Sequence, residues 1–252
     1  MMDQRKLVFL CGARDFHAMD WYKSANENLE NTDVLIITDL IAGEGFEKII
    51  TSKDKVFKLI ILDKFLFHSQ SSLGNMWRNL IKLLVLPIQV ILLKKFYKKH
   101  RTAVFHAHSM YYLWMAWLAE VPFVGTPQGS DILIKPYKSK IFKWLSLKSM
   151  RSAIAITVDS EKMKEGVINI AGVPAHVIQN GIDIQEIEDF FRNVDDLNRE
   201  CVLSIRGFTP LYRLNDIVHA RNESVPDQPI TFIYPFYENN YRDSVSLKSI
   251  DH

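Results

Sequence analysis

Short runs rich in Val, Ile and Leu alternate with longer stretches of helical periodicity along most of the chain. The pattern predicts strands at residues 6–11, 34–38, 56–62, 103–106, 123–126, 153–158 and 176–179. It predicts helices near 18–29, 76–99, 111–119, 138–150 and 160–171. The last has the clearest ends: Asp159 or Ser160 can cap it, Glu161 suits the first-turn dipole, and Gly172 stops it. Strands that are apolar nearly throughout, separated by helices, predict a parallel sheet covered on both faces. A Rossmann-like α/β domain of residues 1–196 is the expected result, with no internal repeat. After Asp195-Asp196 a new start is read in 197–252, with a strand at 201–207 ending in a glycine turn, a helix near 214–222 and a strand at 230–234. The polar tail 238–252 carries no pattern. A second domain needs on the order of 100 residues, so 197–252 reads as the truncated opening of one. It is expected to bury no core of its own and to leave the strand at 230–234 without a sheet to join.

Composition narrows this picture. The 252 residues are 48% hydrophobic and 24% charged, which excludes a disordered chain. Cys11 and Cys201 are too few for a disulfide framework or a zinc site, and a reducing compartment is the default. The apolar run after Arg5-Lys6 is too short for a signal-peptide core. A cytoplasmic protein is expected. The formal charge of +2 hides an asymmetry: residues 64–158 hold fourteen Lys/Arg and only Glu120 and Asp131 as acids. Such separation suggests a basic face directed at an anionic membrane, nucleic acid or phosphorylated ligand, or else a merely solvated face. No zinc, homeodomain or RNP-type signature accompanies the charge, and nucleic acid is not the expected partner.

Residues 76–101 combine charge with apolarity. An uncharged stretch between Lys82 and Lys94 is followed by Lys94, Lys95, Lys98, Lys99 and Arg101, with Phe96 and Tyr97 interleaved. A spanning helix needs about 20 apolar residues, so this segment is not expected to cross a bilayer, and Pro87 is expected to kink it. Two readings stand open: an interfacial helix on anionic lipid, or a core helix with a polar end. The first places the protein peripherally on the inner face of the cytoplasmic membrane.

Three strand ends carry candidate chemistry. Cys11-Gly12-Ala13-Arg14-Asp15 puts a glycine where a ligand can approach the backbone. It is not a Gly-x-Gly-x-x-Gly, so a dinucleotide site is unsupported. His106-Ala107-His108-Ser109 lacks further metal ligands nearby, and its histidines read as polar loop residues beside a cleft. Thr126-Pro127-Gln128-Gly129-Ser130-Asp131 gathers amide, hydroxyl and carboxyl groups in a polar turn, where open α/β sheets bind polar ligands.

In this order the segments resemble glycosyltransferases of the GT-B fold, family 4-like group. The resemblance rests on Cys11-Gly12, His106-Ala-His108, Gly129-Ser130-Asp131, and the run from Val158-Asp-Ser160-Glu161 to Asn180-Gly181-Ile182-Asp183, and covers about residues 6–213. The segment Ile205-Arg206-Gly207-Phe-Thr-Pro-Leu-Tyr212 is similar to the opening of the family's donor domain. The resemblance implies sugar transfer from a nucleotide sugar, with retention and without a metal or other cofactor. The acceptor would be membrane-associated, a glycan or lipid-linked species of surface polysaccharide synthesis. It places Gln128 at the catalytic position, Gly12, Arg14, His108, Gly129, Ser130 and Asp131 on the acceptor side, and Arg206 and Gly207 on the donor phosphates. Lys94, Lys95, Lys98, Lys99 and Arg101 would face the anionic membrane. The sequence departs from the family twice. Gln128 stands where a histidine is common, and no two of the twelve glutamates are eight apart, so the Glu-x7-Glu pair that holds the donor sugar is not in this sequence. The chain alone is therefore expected not to transfer sugar. An acceptor-binding or membrane-docking module, half of a split enzyme with a complementing chain, and a sugar-nucleotide epimerase of the same architecture are the alternatives.

Overall fold

A computed structural model describes residues 5–14, 16–65, 72–179, 181, 184–185, 187–188, 201–233 and 241. The chain divides into two units, Met1–Gly181 and Ile182–His252. The boundary at 196 read from sequence, and Asn180, Ile182 and Asp183 of the family-like run, lie outside the described residues.

The first unit is a seven-stranded, all-parallel sheet of order β3-β2-β1-β4-β5-β6-β7. Its strands are β1 (Arg5–Leu10), β2 (Thr32–Thr38), β3 (Lys55–Lys58), β4 (Val104–His108), β5 (Phe123–Thr126), β6 (Ala155–Val158) and β7 (His176–Val177). The helices between them are α1 (Phe16–Asn28), α2 (Glu44–Ile49), α3 (Ser72–Lys99), α4 (Met110–Leu118), α5 (Gly129–Leu133), α6 (Lys135–Lys138), α7 (Lys140–Ser152) and α8 (Glu161–Ala171). The period of two along β1 and β4 divides the core. Val8, Leu10, Phe105 and Ala107 pack with Leu93 and Phe96 of α3 and Leu113 and Ala116 of α4. Phe9 and Cys11 face the other way, against Ala18, Met19 and Tyr22 of α1.

The predicted strands and long helices are present, and their departures have local causes. β3 ends at Lys58 because β2 ends at Thr38; Leu59 N–H and Leu62 N–H still donate to the carbonyls of Thr38 and Asp39, each at 2.8 Å. β4 continues to His108, so the two histidines are strand residues and not loop residues. α3 runs through Pro87. α2, α5 and α6 are too short for a periodic signal, and a Gly-Ser-Asp run and Pro136 disguise the last two. At α8, Gly172 ends the helix in the left-handed region at φ 68°, as read. Ser160 sits at its N-cap, but its hydroxyl donates to Asp159 at 3.0 Å and accepts from none of the helix N–H groups.

The second unit contains β8 (Val202–Ser204), a 3-10 turn at Pro210–Tyr212, α9 (Leu214–Ser224) and β9 (Ile230–Phe232). β9 pairs parallel to β8, Val202 with Ile230 through Ser204 with Phe232. The strand expected to lack a sheet therefore has one. The expectation of no core is also corrected: Phe208, Leu214 and Val218 are buried together, with Tyr212, Ile217, Ile230 and Phe232 packed on them.

Candidate functional site

The carboxyl ends of β1, β2, β4 and β5 gather the candidate residues of the first unit, and Asp131 is their anchor. It is 2% exposed, and Oδ2 accepts from Met110 N–H (2.9 Å) and Gln128 N–H (3.2 Å). Oδ1 accepts from Lys135 Nζ at 2.7 Å. One side chain thus ties the first turn of α4 to the start of α5 and α6. Its oxygens are turned into the protein, which gives Asp131 a framework role where an acceptor contact was expected. Gln128, half-buried and extended (φ −87°, ψ 161°), is the N-cap of α5, and Ser130 is exposed beside it. The nearest atom to a Cβ at Gly129 would be Met163 Sδ at 3.9 Å, so backbone access there is open.

Gly12 has a different reason for being glycine than ligand approach. A Cβ there would meet Tyr112 Oη at 2.8 Å and Leu40 at 3.3 Å. Tyr112, fully buried, donates to the Asp39 carboxyl, and Gln89 Nε2 donates to the other oxygen of Asp39 at 3.2 Å. Tyr111 Oη extends the network: its one proton can go to Gln89 Oε1 at 2.5 Å or to Lys82 O at 3.1 Å. Burial, then the neighbouring Asp39, pushes the Tyr112 hydroxyl well above its ordinary range, which keeps it a donor. None of Asp39, Gln89, Tyr111 and Tyr112 was singled out from sequence. An aspartate directly after β2 and a tyrosine in the first turn after β4 were the only signals. Arg14 is half-buried in the loop after β1, and Gly43 packs against its backbone carbonyl, which a Cβ there would meet at 3.0 Å.

His106 and His108 are buried on the α1 face. His106 lies 5.0 Å from the Phe9 ring and 5.2 Å from Trp21, and His108 lies 6.3 Å from Trp21. His106 Nε2 is 2.6 Å from Thr126 Oγ1, which in turn contacts Thr157 Oγ1 at 2.5 Å. Burial lowers His106 to about 4; burial, then His106 and His17, lowers His108 to about 3. Both are neutral at physiological pH; His106 is hydrogen-bonded to Thr126, and His108 packs against the Trp21 and His106 rings. The next residue, Ser109, has φ 75° and ψ 152°, a region that favours glycine, while its N–H donates to Thr126 O at 2.9 Å. Backbone strain therefore sits at the junction of β4 with α4, within the candidate site. Among the described residues no three His, Cys, Asp or Glu side chains cluster to hold a metal.

Lys94, Lys95, Lys98, Lys99 and Arg101 lie at or just past the far end of α3, which returns to the amino edge of the sheet, and Lys94 pairs with Glu120 at 2.6 Å. No helix of the described residues is long and apolar enough to cross a membrane. In the second unit Arg206 is exposed, its guanidinium 5.7 Å from the Tyr212 ring centre, and Gly207 is buried beside Phe208. Ser204 Oγ at the end of β8 and Asn215 Oδ1 at the start of α9 are buried with no hydrogen-bond partner among the described residues.

Residues 67–186 match the family model Glycosyltransferase Family 4, in agreement with the resemblance read from the motifs. No curated protein matches the sequence. Solved structures share the fold at low identity. Sucrose-phosphate synthase from Thermosynechococcus elongatus is 10% identical with a TM-score of 0.60, over 97% of this chain and 73% of that one. A glycosyltransferase from Rickettsia africae is 11% identical at 0.56, over 98% and 65%. UDP-GlcNAc 2-epimerase from Neisseria meningitidis, bound to UDP-GlcNAc, is 11% identical at 0.56, over 97% and 69%. The chain spans about two thirds of the length of such structures. The fold is thus that of GT-B glycosyltransferases and the epimerases related to them, and the family match covers the ends of β4 and β5 but not those of β1 and β2.

Proposed function

We propose that the chain is the acceptor side of a glycosyltransferase that moves a sugar from a nucleotide sugar to a membrane-associated glycan or lipid-linked acceptor, in surface polysaccharide synthesis. The family match over 67–186 carries this reading, because it contains Gln128, Gly129 and Ser130 at an open strand end. The Gln128 amide can donate and accept hydrogen bonds but takes up no proton at neutral pH. It positions the acceptor or the transferring sugar and does not act as a base. Retention of configuration without a metal is carried over from the family. In the second unit, Arg206 offers a guanidinium to a diphosphate, whose leaving charge it would neutralise. The Ser204 hydroxyl and Asn215 carbonyl, without a hydrogen-bond partner among the described residues, lie at the neighbouring strand end and helix start. The basic, apolar α3 would keep the protein beside its acceptor, on the inner face of the cytoplasmic membrane. A second reading is a split enzyme, in which a complementing chain grips the donor sugar.

A panel of radiolabelled nucleotide sugars, offered to the chain with protein-free membrane lipid and with whole membrane extract, tests both. Label in a lipid-extractable product with the chain and protein-free lipid supports a self-sufficient transferase. Chain-dependent label only with whole extract supports the complementing chain. No chain-dependent label in either arm contradicts the proposal.

A further inference from the structure

The strand carboxyl edge that holds the candidate site is also rimmed by exposed apolar side chains from two helices. Gln89 of α3 touches Asp39 at the end of β2, so residues 72–88, about 25 Å of helix, lie at or past that edge. There Leu83 and Leu84 are 66% and 64% exposed, and Met76, Leu80 and Ile88 are exposed too. α7 starts at the same edge, because the chain reaches it from the end of β5 through α5 and α6 and then runs back to β6. Its first turns expose Ile141 (74%) and Trp144 (54%), and Tyr137 of α6 is exposed just before them. α4 lies between the two helices, bonded to α3 through Tyr111 and packed edge-to-face on α7 through Trp114 against Phe142 (5.0 Å) and Trp117 against Trp144 (6.2 Å). All three contribute to one core cluster, so the outward residues of α3 and α7 point away from the same sheet face.

Lys138, Lys140 and Lys143 are exposed among these side chains, without an acidic partner among the described residues, and 135–152 contains no acid. Lys135 is excluded, being committed to Asp131. Apolar tips and an aromatic ring call for hydrocarbon and its interface, and the lysines between them call for anions. An anionic bilayer supplies both in one surface.

We infer that the first unit docks on anionic lipid through this rim, formed by the leading turns of α3 and α6–α7, and not chiefly through the Lys94–Arg101 cluster at the other end of α3. The inference deepens the reading of a membrane-borne acceptor and rests on it. The rim places Gln128 and Ser130 at the lipid surface, where an acceptor headgroup is presented.

Flotation of the 252-residue chain with phosphatidylcholine vesicles containing phosphatidylglycerol tests this. One variant carries I141S and W144S, a second L83S and L84S, and a third K95E, K98E and K99E; all replace exposed or partly exposed positions, and each is first checked for an unchanged thermal midpoint. The inference expects flotation to fall at least about tenfold in the first two. Wild-type flotation in those two overturns it. If the third variant alone loses flotation, the inference fails while the membrane reading stands. If the unaltered chain does not float, both fail, and the label panel alone then decides sugar transfer.

Discussion

Gly12 and Tyr112 compete for one space: a Cβ on the glycine would stand 2.8 Å from the hydroxyl oxygen that donates to Asp39. The tyrosine is fully buried and cannot swing aside, so Gly12→Ala forces the loop after β1 or the hydroxyl to move. A destabilisation of about 1–3 kcal/mol is expected. Tyr112→Phe removes the obstructing oxygen but leaves Asp39 without that donor, at a cost of about 1–3 kcal/mol. The double variant should be less destabilised than the two single changes added together, with a coupling of about 1 kcal/mol in urea denaturation. Additive effects would show that the two residues do not meet.

Asp131 makes a second local prediction. Asp131→Ala removes the acceptor of two backbone N–H groups, from Met110 and Gln128, and the partner of Lys135. Leaving those donors unpaired should cost about 2–4 kcal/mol. Lys135→Met should cost less, about 1–2 kcal/mol, because the lysine is half exposed and both backbone donors of the buried carboxylate remain. Equal losses in the two variants would contradict a framework role for the aspartate.

The buried histidines set a pH dependence. His106 and His108 titrate near 4 and 3 in the fold against 6.5 ordinarily, because burial disfavours the charged ring. Below about pH 6.5 the unfolded chain binds protons that the folded chain does not. Their contribution is fully present above that pH and is lost as pH falls toward 4, at up to about 1.4 kcal/mol per pH unit for each histidine. Chemical denaturation at stepped pH should show this slope reduced in His108→Gln. An unchanged slope would place the acid sensitivity elsewhere.

The sheet was legible because its strands are apolar throughout and its helices long enough to show a period, and Gly172 announced the end of α8. The site was legible only as far as single positions carry chemistry. Gln128, Gly129 and Ser130 lie at a strand end as read. The inward turn of Asp131 depends on Met110, twenty-one residues earlier, and the occupation of the space at Gly12 depends on Tyr112, a hundred residues later. Pairings of that range leave no periodic trace. The basic cluster and apolar run of α3 read as one feature, yet a helix antiparallel to the strands carries the cluster and the exposed start of the run, Leu83 and Leu84, to opposite edges of the sheet, with Leu93 buried between them. Both strands of the second unit were legible, at 201–207 and 230–234, but their pairing joins Val202 to Ile230 across the intervening helix and leaves no periodic trace.

The central claim is that the strand-end site around Gln128 serves sugar transfer. Its most direct measurement is chain-dependent incorporation of labelled sugar into lipid-extractable product, with membrane extract supplied, for the unaltered chain and for Gln128→Ala at matched stability. The account predicts incorporation from at least one nucleotide sugar and a loss of at least about tenfold in the variant, the scale of a lost positioning contact to a reacting group. Incorporation that Gln128→Ala leaves intact, or none above the extract alone with any donor, would contradict it.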